Sequence, residues 1–423
     1  MLIEFKVTNF RSIRETQTLS MVASTDRDLV SNTFDTGVTG LPKLLRSAAI
    51  YGPNAAGKSN IIAALAFVEN MVTDSAREAQ VGEPIDIQPF RLSSASRDQD
   101  TEFELHFAVE GVRYQYGFTL NRERITSEWL TAYPLGAPQR WFQRAYDVAT
   151  KKDVYKFSDL FDEGKLRQER ANYTIANNLY LSVAVQKNSQ KLLPVFTWFQ
   201  KTLQYILSMS HIGSARTARM CLESEGKNQV LAHMNAAGIK VKDVNVDKRI
   251  FSESDLPEDF PDELKPRVLK EMQDAVRLET RFLYQENESE NLIPFDLDDE
   301  SDGTRALFAF ASRWIDMLKN DEVLFIDEID SSLHPLLVHH LVSLLNCTNS
   351  KSQLIFTTHD TTLLSQHMMR RDQVWFVEKD QQQSTQLYSL AEFSPRKNEA
   401  IEKGYLNGRY GAIPFLSKLD FYG

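Results

Sequence analysis

The residues with the clearest capacity for chemistry form the stretch Gly52-Pro53-Asn54-Ala55-Ala56-Gly57-Lys58-Ser59. The stretch fits G-x-x-x-x-G-K-[ST], the phosphate-binding P-loop, in which the lysine reaches the β- and γ-phosphates and the hydroxyl binds Mg²⁺. Glycines let such a loop turn its backbone N–H groups toward phosphate oxygens, and the following helix adds the positive end of its dipole. The predicted nucleotide-binding residues are Asn54, Gly57, Lys58, Ser59 and Asn60, with Ser59 also a metal ligand.

A second group of polar residues follows another apolar stretch. Residues 323–326 read as a buried strand, and Asp327 and Glu328 come directly after it. Strands that are buried on both faces carry their functional groups at the carboxyl end. Asp327 is therefore a candidate Mg²⁺ ligand, and Glu328 is a candidate for polarising the water that attacks the γ-phosphate. The alternative is a pair of solvated acids at a strand end, which is common, but the presence of a P-loop favours the catalytic interpretation.

His359 follows a further apolar strand, residues 354–357. We predict that it contacts the γ-phosphate and senses its presence, although a single histidine is more often structural. Its place some thirty residues after the carboxylates favours the functional interpretation. Ser301 and Gly303 stand at the start of a predicted helix and suit a second phosphate contact. A helix N-cap explains Ser301 equally well.

The elements that must position these residues can be read from hydrophobic patterning. A strand at residues 45–51 and a helix at 60–67 give the order of strand, loop and helix that a P-loop requires and that a chance glycine-rich turn would not have. Residues 1–20 predict two short strands, the first of them an edge strand. Residues 103–109 and 112–118 alternate around Glu110-Gly111, which predicts a hairpin within an antiparallel sheet.

These patterns predict an α/β chain in three segments. Residues 1–150 form an N-terminal lobe with the P-loop and the antiparallel sheet, residues 151–290 a mainly helical insertion, and residues 291–423 a second α/β lobe. Residues 151–250 are basic, and residues 251–302, which end beyond the insertion, are strongly acidic. The basic part is either a DNA contact or a solvated helical face, and the dispersal of its Lys and Arg favours the latter.

Composition limits the class of protein. The chain has 423 residues, 42% hydrophobic and 25% charged, and a net charge of −10, which argues against a general nucleic-acid coat but not against a local basic patch. It has no apolar run of membrane-spanning length and begins without the layout of a signal peptide. Its two cysteines, Cys221 and Cys347, lack metal-ligand spacing. We expect a cytoplasmic protein with no membrane partner.

The order of these motifs resembles the ABC-type ATPase heads of transporters, SMC proteins and RecF-like proteins. Gly52–Ser59 corresponds to Walker A, residues 301–304 to the signature, 324–328 to Walker B, 331–334 to the D-loop and His359 to the switch histidine. Residues 9–13, Asn-Phe-Arg-Ser-Ile, are similar to an N-terminal segment of SMC and RecF relatives, which makes Arg11 a candidate nucleotide contact. Gln88 is a candidate Q-loop residue. The resemblance implies an ABC-type P-loop ATPase head that uses ATP and Mg²⁺.

A closer resemblance is to the standalone ATPases of bacterial defence loci, which are similar to the ATPase part of overcoming-lysogenization-defect proteins and to the RloA group. It is carried by Ser-Asp-Gly-Thr-Arg at 301–305, by residues 327–335 and by the tail Gly-Arg-Tyr-Gly-Ala-Ile-Pro at 408–414. It covers most of residues 1–150 and 291–423. Two positions depart from transporter heads: the signature reads Ser-Asp-Gly-Thr, and His334 stands where transporters carry Asp.

The resemblance also implies how such a protein works. ABC heads hydrolyse ATP between two subunits, so a chain with one Walker A and one signature needs a second copy, in a homodimer or a higher even assembly. One hypothesis is a sensor or scaffold ATPase of an anti-phage system that controls a separate effector protein, a nuclease or toxin. Another is a DNA-repair ATPase that clamps DNA directly. Transport is a distant third, because transporter heads need membrane partners.

Overall fold

The computed structural model describes residues 1–209, 212–253, 256, 260–272, 276–393 and 399–414. The chain forms two compact units. The first unit comprises Met1–Ser208, Met317–Asp330 and Val338–Gly423, and the second comprises Met209–Asp316 and Ser331–Leu337.

The strands and helices are numbered separately in chain order. The strands are β1 Leu2–Thr8, β2 Gln17–Ser20, β3 Thr33–Phe34, β4 Leu44–Leu45, β5 Ser47–Tyr51, β6 Thr101–Val109, β7 Val112–Leu120, β8 Ile125–Tyr133, β9 Gln139–Asp147, β10 Lys152–Phe157, β11 Leu203–Ile206, β12 Asp243–Ile250, β13 Val276–Gln285, β14 Leu292–Asp296, β15 Val323–Ile326, β16 Gln353–Thr357, β17 Val374–Lys379 and β18 Thr385–Ser389. The α-helices are α1 Lys58–Glu78, α2 Ser94–Arg97, α3 Leu166–Tyr173, α4 Tyr180–Gln186, α5 Leu193–Thr197, α6 Ala215–Met220, α7 Ser224–Ala236, α8 Lys265–Glu271, α9 Asp302–Asn320, α10 Pro335–Asn346 and α11 Ile401–Leu406.

A six-stranded sheet in the first unit carries the P-loop. Its order is β11-β15-β16-β5-β17-β18, and all neighbours are parallel except the final antiparallel pair β17 and β18. Strands β5, β15 and β16 are buried along their whole length, which explains their continuous apolar sequences. Because parallel strands end at the same edge, the residues after β5, β15 and β16 meet there.

A seven-stranded antiparallel sheet lies in the same unit, in the order β10-β9-β8-β7-β6-β1-β2. The predicted hairpin is confirmed: β6 and β7 pair directly across Glu110-Gly111, both of which have positive φ. The interpretation of the first strand as an edge strand was wrong. Strand β1 pairs with β2 on one side and β6 on the other. Alternation in a sequence identifies the buried face of a strand, but it does not show how many neighbours the strand has.

A large apolar core packs the first unit, beside a smaller cluster around Phe34. Helix α1 contributes a buried stripe that contains Ile61, Leu65, Val68 and Val72, spaced as an amphipathic helix requires. Aromatic side chains of the antiparallel sheet join the same core, and the Phe107 and Trp198 rings stack at 4.2 Å. The P-loop is therefore anchored at both ends, by the buried strand β5 and by the buried face of α1.

The second unit contains a three-stranded antiparallel sheet, β12-β13-β14. Phe282 of β13 packs edge-on against Phe308 of α9, and Thr217 of α6 donates a hydrogen bond to the Ala309 carbonyl. The interpretation of residues 151–290 as mainly helical did not anticipate this sheet, since its strands are largely exposed and lack a clear apolar alternation. In the described part of the chain, no helix has the length and apolar character that a membrane span requires. The α/β fold class is confirmed.

Candidate functional site

The P-loop connects β5 to α1, as the motif predicts. Gly57 is the N-cap of α1 and has φ +112°, a region that favours glycine. A Cβ on Gly57 would lie 2.2 Å from Thr385 Oγ1, and a Cβ on Gly52 would lie 2.2 Å from the Val377 carbonyl oxygen. Both glycines are therefore required by close packing as well as by the path of the loop. Asn54 and Ser59 are exposed on the loop and at the start of α1.

Lys58 is the buried cation of this site. Its Nζ donates hydrogen bonds to the carbonyl oxygens of Gly52 (2.7 Å) and Pro53 (3.2 Å), and it lies 3.2 Å from His359 Nε2. Burial lowers the pKa of Lys58, while the negative charges of Asp327, Glu328 and Asp330 act in the opposite direction. Within the described residues it forms no direct ion pair, so its charge remains available to an anion.

The end of the neighbouring strand β16 holds the Asp327 carboxylate and the backbone of Glu328 after β15. Thr357 Oγ1 donates to Asp327 Oδ1 (2.6 Å) and accepts from the Glu328 backbone N–H (2.7 Å). Asp327 is buried, whereas Glu328 is exposed and has φ +50°, which is uncommon for a non-glycine residue. This conformation places two adjacent acids differently: Asp327 is fixed in the interior, and Glu328 is presented to solvent.

His359 follows β16 and faces the P-loop lysine. Its backbone N–H donates to Asp330 Oδ2 at 3.2 Å, and its ring contacts Lys58. Burial, and then the positive charge of Lys58, lowers the pKa of His359, so the ring is neutral at pH 7. A neutral imidazole accepts a hydrogen bond from Lys58 at Nε2 and keeps its other ring N–H for donation.

A cavity of about 780 Å³ opens over the P-loop. Residues 52–56 and His359 form one side, Glu378, Lys379 and Gln383 come from β17 and the turn after it, and the remaining wall comes from the tail. These residues are Tyr405 and Leu406 of α11, and Ile413 and Pro414 after it. The sequence interpretation noted residues 408–414 only as a point of resemblance and did not single out Tyr405 or Leu406. The folding of the tail depends on long-range contacts, such as the stacking of Tyr405 on Phe376 at 5.3 Å.

A second cavity of about 630 Å³ gathers the remaining candidates from the N-terminal lobe. Arg11, Asn60 and Gln88 all line it, together with Ser12. The backbone N–H of Arg11 donates to the Gln88 carbonyl at 2.7 Å, which joins the two segments. Asn9 fixes the turn from below, because its side chain bonds to Ser96, Gln99 and Phe90 backbone groups.

Several residues of this region escaped sequence interpretation. Ser12, Lys379, Gln383 and Thr385 surround the second half of the P-loop, although they are far from it in sequence. Thr385 Oγ1 contacts both the Ala56 carbonyl oxygen and Ser12 Oγ at 2.8 Å. Ser12 lies within the Asn-Phe-Arg-Ser-Ile segment and could have been found there. The turn between β17 and β18 carries no motif, so nothing in the sequence marks its residues.

Ser301 and Gly303 belong to the second unit, at the start of α9. Ser301 Oγ accepts from the Thr304 N–H at 3.2 Å, which is an N-cap bond. A Cβ on Gly303 would meet only the Ser332 carbonyl oxygen, at an ordinary 3.7 Å. Packing within the described chain therefore does not explain this glycine. His334 precedes α10, and its Nδ1 accepts from the Leu336 N–H at 3.2 Å, a capping bond that an Asp could also form.

Comparison with known proteins identifies a family that the chain matches. The model of the family described as "AAA domain, putative AbiEii toxin, Type IV TA system" matches residues 47–365. No curated protein matches the chain significantly. Among solved structures, an SMC head bound to the C-winged helix domain of ScpA is 14% identical, with a TM-score of 0.42 over 93% of this chain and 99% of that one.

Two further SMC heads are similar at the same level. The SMC head domain from Thermotoga maritima is 14% identical, with a TM-score of 0.39 over 92% of this chain and 98% of its own. An SMC head from Pyrococcus furiosus with an extended coiled coil, bound to the C-terminal domain of ScpA, is 13% identical, with a TM-score of 0.42 over 93% and 97%.

Proposed function

Because the chain belongs to the AAA-domain family whose model spans residues 47–365, we propose that it binds ATP with Mg²⁺ on the P-loop and hydrolyses it. One observation carries this proposal: Lys58, buried and without a direct ion pair among the described residues, faces His359 at 3.2 Å and is attracted by Asp327 and Glu328. A structural lysine would pair with one carboxylate. Here His359, Asp327 and Glu328 all act on the Lys58 ammonium, but none of them forms an ion pair with it.

The residues present fit a magnesium nucleotide. The glycine loop leaves no room for a Cβ at Gly57, and the oxygen ligands that Mg²⁺ prefers stand beside it, in the exposed Ser59 hydroxyl and the Asp327 carboxylate. Within the described residues, Asp327 accepts a hydrogen bond only at Oδ1, which leaves Oδ2 for a metal. Mg²⁺ bound with ATP neutralises charge on phosphate oxygens and needs only one or two protein carboxylates.

The side chains then take distinct roles. Lys58 offsets negative charge on the β- and γ-phosphates, and the backbone N–H groups of the loop orient them. Glu328, exposed at the strand end, orients the attacking water and accepts its proton at a carboxylate oxygen. His359, whose Nε2 accepts from Lys58, would donate its other ring N–H to the γ-phosphate, so the residues after β16 would contact that phosphate when it is bound.

We infer a dimer from the second unit. Gly303 lies in the first turn of α9, and packing within the described chain does not require a glycine there. A phosphate that approaches the α9 N-terminus closely would require a glycine there. Ser301 and Gly303 of one copy would contact ATP bound to Lys58 of the other, giving two ATP molecules in a homodimer or a higher even assembly.

Three variants test hydrolysis. Lys58→Ala should lose ATP binding, and Glu328→Gln should keep it while hydrolysis falls about 10²- to 10⁴-fold, the usual contribution of a general base. Phosphate release measures turnover, and titration calorimetry measures binding. Glu123→Gln is the control, since Glu123 is an exposed acid between β7 and β8 and has no proposed role in the reaction. Wild-type turnover in Glu328→Gln would refute the assignment of the base.

Light scattering tests the dimer. In the presence of ATP, the Glu328→Gln protein should have twice the mass of the monomer. The protein with Ser301→Ala and Gly303→Ala combined should bind ATP but remain monomeric. A monomer at all nucleotide concentrations would refute the inference from the second unit.

We propose further that the ATPase controls a separate effector, a nuclease or toxin, in a cytoplasmic anti-phage system. The family description associates this AAA domain with type IV toxin–antitoxin systems, which supports a role in a system of that kind. The product of the adjacent gene should co-purify with the Glu328→Gln protein in ATP but not with Lys58→Ala. Equal recovery of that gene product with both variants would show that its binding does not depend on ATP. Direct, salt-dependent DNA binding without any partner would instead favour a DNA-clamping ATPase.

A further inference from the structure

The turn between β17 and β18 stands where the two cavities meet. Lys379, the last residue of β17, and Gln383, in the turn, line both the cavity over the P-loop and the cavity beside Arg11. No motif marks either residue, and neither has been given a role above. Their shared position raises the question of what the Lys379 ammonium binds.

A chain of hydrogen bonds fixes Lys379 against the P-loop. Lys379 Nζ donates to Thr385 Oγ1 at 3.1 Å, and the Thr385 hydroxyl donates to the Ala56 carbonyl at 2.8 Å. Because Thr385 has a single O–H donor, Ser12 must donate in its 2.8 Å contact with Thr385. Asn60 Nδ2 donates to Ser12 Oγ at 2.6 Å. Every hydroxyl direction in the network is thus determined, and among the described residues the Lys379 ammonium has two N–H donors without a partner.

Lys379 is half-buried, and its surroundings favour a negatively charged ligand. Burial lowers its pKa, and the negative charge of Asp380 only partly opposes that effect. Asp380 is already engaged: Oδ1 accepts from the backbone N–H groups of Gln382 and Ser384, and Oδ2 accepts from Gln386. Across the described ranges, Lys379 forms no ion pair. Removing a cation from water without a counter-charge is costly, so the site favours a negatively charged ligand.

The turn is rigid as well as charged. Asp380 closes it through its backbone N–H, which donates to the Ser384 carbonyl at 2.9 Å, and Gln383 adopts φ +62°. A non-glycine residue in this region is uncommon, and such strain concentrates at functional sites. The turn therefore presents Lys379 and Gln383 in a fixed position beside residues 54–56.

We propose that Lys379 is a second phosphate-binding lysine, whose ammonium contacts the phosphate chain of the nucleotide held by the P-loop. This inference rests on the proposed function, since it names a further residue of the same site. Thr385 positions Lys379 and ties it to the loop, so binding of phosphate at the loop and the order of the β17–β18 turn are coupled.

Binding measurements with two probes test the proposal. Lys379→Met should weaken ATP and inorganic tripolyphosphate alike, by about 10- to 100-fold, the range expected for a hydrogen bond between charged groups. Lys379→Arg should restore part of the affinity. Lys403→Met, which removes an exposed lysine from α11 of the same unit, should bind both probes like the wild type. Titration calorimetry gives the dissociation constants.

The outcomes separate this inference from the proposed function. If the wild type binds no nucleotide, both fail. If Lys58→Ala abolishes binding while Lys379→Met binds ATP as the wild type does, only the role of Lys379 is overturned. If Lys379→Met weakened the binding of ATP but not that of tripolyphosphate, the proposed role of Lys379 would also be overturned. Should Lys379→Met lower the melting temperature, Lys379→Arg serves as the folded variant, and its failure to restore any affinity would show a purely structural lysine.

Discussion

Gly57→Ala gives a direct measure of how tightly the β17–β18 turn packs on the P-loop. A Cβ at this position would lie 2.2 Å from Thr385 Oγ1 and 2.8 Å from Ser12 Oγ. Relieving such overlap typically costs about 1–3 kcal/mol. The backbone at φ +112° adds about 1–3 kcal/mol for any residue with a Cβ. We expect a total of about 2–6 kcal/mol, a large part of the 5–15 kcal/mol that stabilises a typical folded protein.

A double-variant cycle divides this value into its two sources. Thr385→Ala removes the nearer of the two side chains that the new Cβ would strike, leaves Ser12 Oγ at 2.8 Å, and does not change the backbone conformation. The Gly57→Ala/Thr385→Ala protein should therefore be less destabilised than the sum of the single variants, by about 1–3 kcal/mol. Ser350→Ala, which removes a hydroxyl distant from the loop in the same unit, is the control. Its effect on the free energy of unfolding should add to that of Gly57→Ala without coupling.

Urea unfolding followed by tryptophan fluorescence suits this cycle. Of the five tryptophans, only Trp314 lies in the second unit, so the signal reports mainly on the unit that contains the P-loop. The change in free energy follows from the shift of the unfolding midpoint at constant slope. Strictly additive single variants, or a Gly57→Ala protein as stable as the wild type, would refute the packing argument.

Three further predictions concern the carboxylates, the histidine and the core. Thr357→Val should lower ATP turnover about tenfold or more with little change in ATP affinity, because Glu328 loses the hydroxyl that fixes its backbone; single-turnover kinetics would measure this. The pKa of His359 is lowered from 6.5 by burial and then by Lys58, so its contribution to stability is complete above pH 6.5 and is lost as the pH falls through the lowered value. His359→Gln should flatten this pH dependence of the unfolding free energy, and an unchanged profile would count against the assignment. Glu128→Ala should cost about 3–5 kcal/mol, since the buried carboxylate accepts three hydrogen bonds, two of them from the first N–H groups of α4. The exposed Glu123→Ala should be neutral in the same urea titration.

The elements around the P-loop could be predicted because their signals are local. An apolar run before the loop, a helix after it and apolar runs before Asp327 and His359 all reflect strands buried on both faces. Chain order then implies parallel pairing, and parallel pairing brings the strand ends together. The position of the second-lobe strands followed from the same reasoning.

The failures have an equally physical origin. Strand β1 was placed at a sheet edge because a periodicity of two shows which face is buried and says nothing about hydrogen-bonded neighbours. Strand β11 pairs in parallel with β15 from a distant part of the chain, and its four residues carry too little pattern to be recognised. The sheet of β12, β13 and β14 was missed because most of its side chains are exposed.

The sequence alone determined the chemistry that is available to this protein: a glycine loop with a lysine, two acids after a strand and a histidine after another. Those residues follow strands that are buried on both faces, and such strands can be recognised in the sequence as continuous apolar runs. Only the tertiary structure decided that Thr357 fixes both acids, that Thr385 and Ser12 press against Gly57, and that Lys379 faces the same cavity as the P-loop. These contacts join segments from 30 to more than 300 residues apart, and single hydroxyl and ammonium groups carry no periodicity that a sequence could display.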